Sequence, residues 1–301
     1  MPTAEVLISV VVPAYNYAHL LPRALASVFC QWADDIELIV VNDGSTDDTL
    51  AVLSGLRERH PQLQLIDQAN AGAAAARNHG IRRACGRYVL LLDADDELLP
   101  NALQVLRGVL RDNPDAGLVL GAQISVDPDG RERLRLPTPV PAASAYELAR
   151  RYLLQKRISI SHCCTLFSRA LLLQRPYPEH LRTGEDIAVF TYLLVNAKVA
   201  VTPQPLARIH KHADSLRHNR HNEEEIALGM VREVFASLPA ECQPLIKRYT
   251  AQRYLSLFRA ALLAGDIRQA RHFYLTALGL SPLQAARWTY LRKALRVLVK
   301  A

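Results

Sequence analysis

The sequence predicts an α/β fold, a mainly parallel sheet flanked by helices, followed by an all-helical C-terminal extension. Three observations predict it. Short apolar runs alternate with helix-length stretches through the first third of the chain, the pattern of βαβ units. The runs are almost continuously apolar, as strands covered on both faces must be. Polar residues Asn16, Asp43 and Asp93 stand where three of these runs end, the rim at which open α/β sheets bind ligands.

The elements follow in order. Residues 7–12 are apolar and rich in valine, and Pro13 ends them as a first strand. A helical pattern covers 18–29, and Ile36-Glu-Leu-Ile-Val-Val41 is a second strand. Gly44 permits a tight turn, and Ser45 with Asp48 has the capping-box spacing that starts a helix over 47–59. Residues 63–66 form a third strand and 73–84 a third helix, whose alanine run allows close approach to the sheet, with Gly80 where little room is available. Residues 88–92 form the fourth strand, and a helix follows Pro100.

Beyond about residue 123 the pattern loosens. Asp127-Pro-Asp-Gly130 is a turn, and Pro137, Pro139 and Pro141 make an extended segment. Order returns as a helix over 145–154, a strand over 158–167 and a helix over 185–196. Residues 203–222, with two prolines and four of the ten histidines, read as a loop. From 223 onward the chain is helical, with 260–265 and 266–280 as a hairpin turning at Gly265-Asp266. The expected organisation is one domain over 1–222, split into halves at 122/123, and a helical extension over 223–301.

Composition narrows the function. With 301 residues and 50% hydrophobic content the chain buries an ample core. A net charge of +7 suits nucleotide phosphates, a phosphorylated acceptor or an acidic membrane surface. That charge is too dispersed for nucleic acid, and aromatic residues are only 6% of the chain. Cys30, Cys85, Cys163, Cys164 and Cys242 have no zinc-like spacing and fit reduced thiols of a cytoplasmic protein. The N-terminus lacks the basic region of a signal peptide, and no apolar run is long enough to span a bilayer. The last helix, 282–300, places Trp288, Leu291, Leu295 and Leu298 at helical spacing among five cations and no acid. Two readings stand there: a core-packed amphipathic helix, and a peripheral helix resting on anionic lipid at the inner face of the membrane.

The run Tyr88-Val-Leu-Leu-Leu-Asp-Ala-Asp-Asp96 carries the most chemistry. Side chains of a strand alternate, so Asp93 and Asp95 can share a face about 7 Å apart. Carboxylates held together repel unless a cation lies between them. Mg²⁺ or Mn²⁺, shared with substrate phosphates, suits such a site; an acidic turn entering the next helix is the plain alternative. Asp43, at the end of Val41-Asn-Asp43, is not needed for the helix cap and could accept a hydrogen bond from a base or ribose. Tyr15, in Pro13-Ala-Tyr-Asn16, offers a stacking surface. Arg77 is the lone cation of the alanine-rich stretch, either snorkelling to solvent or facing the acids and a diphosphate.

Together, Val11-Val-Pro-Ala-Tyr-Asn16, Val41-Asn-Asp-Gly-Ser-Thr-Asp-Asp-Thr49, Asn70-Ala-Gly72 through Ala76-Arg-Asn-His-Gly80 and Leu91-Leu-Asp-Ala-Asp-Asp96 resemble the family 2 glycosyltransferases, inverting enzymes of the GT-A fold. The likeness extends to Thr183-Gly-Glu-Asp186 and Arg208-Ile-His-Lys-His-Ala-Asp-Ser215 and leaves the helical tail outside. It implies a Rossmann-like nucleotide-binding half over 1–122 and an acceptor-binding half over 123–222. Pro13, Ala14, Tyr15, Asn16, Asp43, Arg77, Asp93 and Ala94 would hold a nucleotide-sugar, UDP-linked by expectation. Asp95, the last acid of the D-x-D motif, would ligate Mn²⁺ or Mg²⁺, with His212 or His210 beside the diphosphate. Asp186 would be the general base and Glu185 would lie on the acceptor side. The acceptor would be a glycan or lipid-linked saccharide of the bacterial cell envelope, such as lipopolysaccharide. Competing readings are a nucleotidyltransferase, for which the loop after the first strand is wrong, and a non-catalytic sugar-nucleotide-binding scaffold. A dinucleotide oxidoreductase is disfavoured, because no G-x-G-x-x-G follows an early strand.

Overall fold

Each strand expected in the N-terminal part forms, and the side chains of the first, second and fourth are buried on both faces. Val10, Val11, Val12, Leu38, Ile39 and Val40 are wholly buried; such a side chain contributes about 1.5–3 kcal/mol relative to an exposed one. The computed structural model describes residues 5–181, 183–211 and 222–298. They fall into two units, residues 1–142 with 158–216, and residues 143–157 with 217–301. Residues 143–157 thus join the helical tail, a grouping that a boundary drawn along the sequence at 222 does not include.

In the first unit β1 (Ile8–Ala14), β2 (Ile36–Asp43), β3 (Leu63–Gln68) and β4 (Tyr88–Leu91) run parallel in the order β3-β2-β1-β4. Their carboxyl ends share one rim, since Ala14 registers with Asn42 and Asp43 with Gln68. Helices α1 (Leu21–Phe29), α2 (Thr49–Arg59) and α3 (Ala73–Arg83) make the crossovers. Helix α3 lies very close to β1: a Cβ added at Gly80 would stand 2.3 Å from Val11 Cγ1. Glu37, a charge inside β2, is satisfied by Ser9 Oγ, Gln64 Nε2 and the Gly86 N–H.

The sheet continues beyond β4 with mixed direction, which the loosened sequence pattern concealed. It adds β5 (Glu97–Leu98), β6 (Ala116–Val126), β7 (Glu132–Arg135), β8 (Thr165–Ser168) and β9 (Lys198–His210), with α4 (Ala102–Asp112) after β5. The order is β3-β2-β1-β4-β8-β6-β9-β5, with β7 paired to β6 across the Asp127–Gly130 turn. Strand β8 opposes both neighbours, while β6 and β9 are parallel. Two expectations change here. The strand expected over 158–167 is short, because His162–Cys164 coil into a 3₁₀ turn that buries Cys163 and Cys164. The loop expected from 203 is strand as far as His210: Pro203 and Pro205 fall at register shifts opposite Gly121 and Ala122, where a missing N–H breaks no ladder bond.

The second unit contains α5 (Ala145–Ala149), which passes into a π turn over Arg150–Leu154. Back in the first unit, α6 (Arg169–Gln174) and α7 (Glu185–Asn196) flank the sheet. The tail comprises α8 (Glu223–Ala236), α9 (Ile246–Leu263), α10 (Ile267–Leu280), α11 (Pro282–Ala285) and α12 (Trp288–Leu298). Helices α9 and α10 form the expected hairpin: Gly265 takes φ +75° and Asp266 caps α10 by accepting from the Gln269 N–H. Phe258, Ala261, Phe273, Tyr274, Ala277, Ala294 and Val297 build its core. Among the described residues, no helix is long and apolar enough to cross a membrane.

Candidate active site

The carboxyl rim of β1 and β2 is tied together by side chains. Asn16, at φ +60°, accepts through Oδ1 from the Thr46 N–H at 2.8 Å and donates its own N–H to Ser45 Oγ at 2.9 Å. Ser45 Oγ donates in turn to Asn42 Oδ1 at 2.6 Å. The helix-starting role expected of Ser45 and Asp48 is therefore not realised: Asp48 precedes α2 without a side-chain cap, because Ser45 faces the neighbouring loop instead. Asp47 accepts from the Thr49 and Ala18 N–H groups and completes the tie. The clamp leaves Tyr15 44% exposed beside half-buried Pro13 and buried Ala14, a fixed aromatic face at the rim.

Asp43 is placed differently from the open acceptor expected. Only 3% exposed, it accepts through Oδ1 from Gln68 Nε2 (2.7 Å) and the Ala71 N–H (2.9 Å), and through Oδ2 from the Gly72 N–H (2.8 Å). Three of about four lone-pair positions on the carboxylate are thus taken. Asp43 shapes the loop leading to α3, because that loop presents two amides to the end of β2.

Beyond β4 the acids separate by environment. Asp93 lies one third exposed and accepts from Arg77 Nη2 at 3.0 Å. Burial raises its pKa, yet the adjacent guanidinium outweighs this and holds the carboxyl below the usual range. Ala94 is buried at the turn. Asp95 is half-buried, and its carbonyl accepts from Arg23 Nη2. Asp96, 4% exposed, accepts from the His210 N–H at 2.9 Å and from the Cys163 thiol at 3.0 Å. Burial first, then the charges of Asp93 and Asp95, push Asp96 up to about 7. Tyr17 adjoins the cluster: burial and the three acids raise its hydroxyl pKa.

Among the described residues, ligand atoms of Asp93, Asp96 and Cys163 lie within 4.8 Å of one another. Burial and the acids push the thiol well above its ordinary value. Cys163 therefore stays protonated and donates to Asp96, leaving hard carboxylate oxygen as the donor type for an ion. Three acids whose mutual repulsion already raises one of them fit a divalent cation.

Arg77 joins this rim to α7. It is 7% exposed, with Nη2 on Asp93 and Nη1 on Glu185 Oε1, both at 3.0 Å, and it lies 5.8 Å from the Tyr177 ring centroid. It is no snorkelling surface residue. Glu185, expected on the acceptor side, is an ion-pair member with 17% side-chain exposure. Asp186 follows it in the first turn of α7. Gly184, at φ +72°, is the N-cap and no side chain caps the helix, so the Thr183–Asp186 capping spacing is not used. Burial, then Glu185, raise the pKa of Asp186. Tyr177 Oη is 3.0 Å from His162 Nε2, and Asp186, Glu185 and Asp93 all act on Tyr177. Burial and Arg77 push His162 down to about 3, so its ring is neutral.

The structure therefore joins Arg77, Asp93, Glu185 and Asp186, ties Tyr15–Asn16 to β2, and leaves Asp43 with the loop over 70–72. His210 is 3.2 Å from Glu97 Oε1, on the strand whose N–H reaches Asp96. His212 lies outside the described residues. Asp96, Cys163, His162, Tyr177 and Tyr17 were not singled out by spacing; only the proximity of Asp96 to the D-x-D acids marked it.

The sequence profile described as glycosyl transferase family 2 matches residues 9–175, more than half of the chain. The uncharacterized glycosyltransferase YibD of Escherichia coli K12 is 40% identical over 33% of this chain and 29% of its own length. Chondroitin synthase of Pasteurella multocida is 38% identical over 41% of this chain and 13% of its own length. The chain thus spans about a third or less of these two relatives. Among solved structures, S. aureus TarS 1-349 in complex with UDP-GlcNAc matches with TM-score 0.67 and 20% identity over 90% of this chain and 81% of that one. Mannosyltransferase PcManGT from Pyrobaculum calidifontis, in complex with GDP-Man and Mn²⁺, matches with TM-score 0.54 and 20% identity over 99% and 85%. Both structural likenesses show the GT-A fold.

Proposed function

The chain belongs to glycosyltransferase family 2, and from that premise we propose that it transfers a sugar from a nucleotide-sugar donor, UDP-linked, to an acceptor hydroxyl with inversion at the anomeric carbon. One observation carries the reading: buried Arg77 holds Asp93, on the strand exit, and Glu185, beside Asp186, within 3.0 Å of the same guanidinium. In this reading the shared guanidinium brings a donor-side acid and the neighbour of the base to one locus.

Asp186 is the general base of this proposal. A raised carboxylate pKa makes a stronger base. It accepts the acceptor hydroxyl's proton as that oxygen attacks the anomeric carbon from the face opposite the leaving nucleotide. The oxygen–carbon bond forms, the carbon–phosphate oxygen bond breaks, and configuration inverts. Tyr15 stacks on the base, and Asn16 with Ser45 keeps that platform rigid. Arg77 holds the acids in register and offsets their charge. Asp95, with the second oxygen of Asp93, would hold Mn²⁺ or Mg²⁺. When bound, that ion supplies Lewis-acid stabilisation of the departing diphosphate.

The complexes of fold neighbours with UDP-GlcNAc and with GDP-Man and Mn²⁺ support the donor class and the ion. The acceptor of this proposal is a glycan or lipid-linked saccharide of a bacterial envelope, worked on at the cytoplasmic side; five unpaired cysteines agree with a reducing compartment. Substituting Asp186→Asn tests the base: transfer should fall at least about a thousandfold, toward the upper range of general-base contributions, with UDP affinity within twofold. A variant retaining a tenth of the transfer rate would remove Asp186 from the role. Titration calorimetry of UDP with and without Mn²⁺, on the native chain and on Asp95→Asn, tests the ion. Equal affinities throughout would exclude Asp95 as its ligand.

A further inference from the structure

The geometry points to a second surface, on α12, that binds anionic lipid bilayers. At 100° per residue, positions 288, 292, 295 and 296 of a helix share one face, while 290, 294 and 297 share the opposite one. Ala294 and Val297 are buried in the core of the helical unit, and Tyr290 packs against it. The other face therefore looks away from that core: Trp288 is 69% exposed and Leu295 49% exposed, with Arg292 and Arg296 exposed between and beside them. The apolar stripe that periodicity suggests as a core contact is thus partly an outward face. Just before it, Leu283 is 89% exposed and Arg287 is exposed as well.

The partner follows from the charge. No Asp or Glu occurs after Asp266, whereas Arg268, Arg271, Arg287, Arg292, Lys293, Arg296 and Lys300 do. An indole and leucines set among arginines, on a helix that itself carries no acid, match an interface whose outer layer is negative and whose inner layer is hydrocarbon. Indole favours the headgroup level, and arginine stems can lie along apolar chains with their heads in phosphate. A helix of 11 residues is too short to span, so it lies in the interface plane. The proposal is independent of the sugar-transfer reading, because none of these residues belongs to the candidate active site.

Co-sedimentation with vesicles of phosphatidylcholine containing roughly 30% phosphatidylglycerol, against phosphatidylcholine alone, tests it at two salt concentrations. Binding should require phosphatidylglycerol and weaken with salt. Each of Arg292→Glu and Arg296→Glu should lower the partition coefficient about fivefold or more. Trp288→Ser and Leu295→Ser should lower it about tenfold together while leaving the melting temperature unchanged, since both side chains are exposed. Leu136→Ser, at a 63% exposed leucine of the first unit, should change nothing. Equal binding to both vesicle types would overturn the inference, as would loss in Leu136→Ser matching that in Trp288→Ser. Concentration-dependent self-association of the native chain, abolished by Trp288→Ser, would likewise overturn it by making a second copy the occupant.

Discussion

Replacing Arg77 by Met removes the one cation that two carboxylates share. The side chain is 9% exposed and forms both ion pairs at 3.0 Å. Methionine fills much of the same volume, so packing loss is minor and the cost is electrostatic. Removing one member of a buried pair costs about 3–5 kcal/mol, because the partner is left charged and desolvated. Glu185, at 17% side-chain exposure, bears that penalty nearly in full, whereas Asp93, at 34%, is relieved by solvent. A loss of about 3 kcal/mol is expected at pH 8, read as a fall in the urea midpoint with the slope unchanged. The pH dependence supplies the sign. In the native chain Asp93 is held below 3.8, so its contribution persists at neutral pH and is lost only as acid takes the pH through that depressed value. In the variant the guanidinium's pull is gone and burial raises Asp93, so the deficit should shrink from pH 8 to pH 5 as that acid takes up its proton. Arg77→Lys should keep part of the stability and lose the two-pronged geometry. A deficit under about 1 kcal/mol, or one unchanged between pH 8 and pH 5, would refute the linking role of Arg77.

Three other outcomes follow. Asp96 rises from 3.8 to about 7 on folding, so the stability tied to its proton is present below 3.8 and lost as pH rises through 7. Asp96→Asn should therefore flatten the metal-free melting profile between pH 5 and pH 8 and gain on the order of 4 kcal/mol at pH 8. The acid limb of kcat/KM should lie above 3.8, and Glu185→Gln should move it to lower pH, because Glu185 is the second cause, after burial, of the raised Asp186 value. Tyr15→Ala should weaken UDP binding about tenfold in calorimetry, the worth of one base–aromatic stack, with the melting temperature unchanged.

The first four strands and their polar ends were legible because each is a largely apolar run between turn residues, and local pattern suffices to read those. Arg77 was legible as an anomaly, a cation in an alanine-rich helix, but only the fold shows that it reaches residues 16 and 108 positions away in sequence. Strand β9 was hidden by Pro203 and Pro205, which stop a strand unless a neighbour supplies a register shift, and Gly121–Ala122 of β6 supply it. Cys163 and Tyr177 were illegible for a related reason. Their importance lies in what the 3₁₀ turn and the segment before α7 bring against Asp93 and Arg77, and no local spacing encodes such meetings. Asp43 was read as an open acceptor because a free-looking acid at a strand end cannot disclose that amides 25, 28 and 29 residues later will take three of its acceptor positions.

The missing methyl at Gly80 has a consequence for the crevice. Arg77 sits three residues earlier on the same helix, so the gap between α3 and Val11 acts as a gauge block for the guanidinium. Alanine at position 80 would have to open that gap, since the new carbon would start 2.3 Å from Val11 Cγ1. The tilt would be passed along one helical turn to both arms of Arg77, and Asp93 and Glu185 would drift apart without any of their own atoms having been changed.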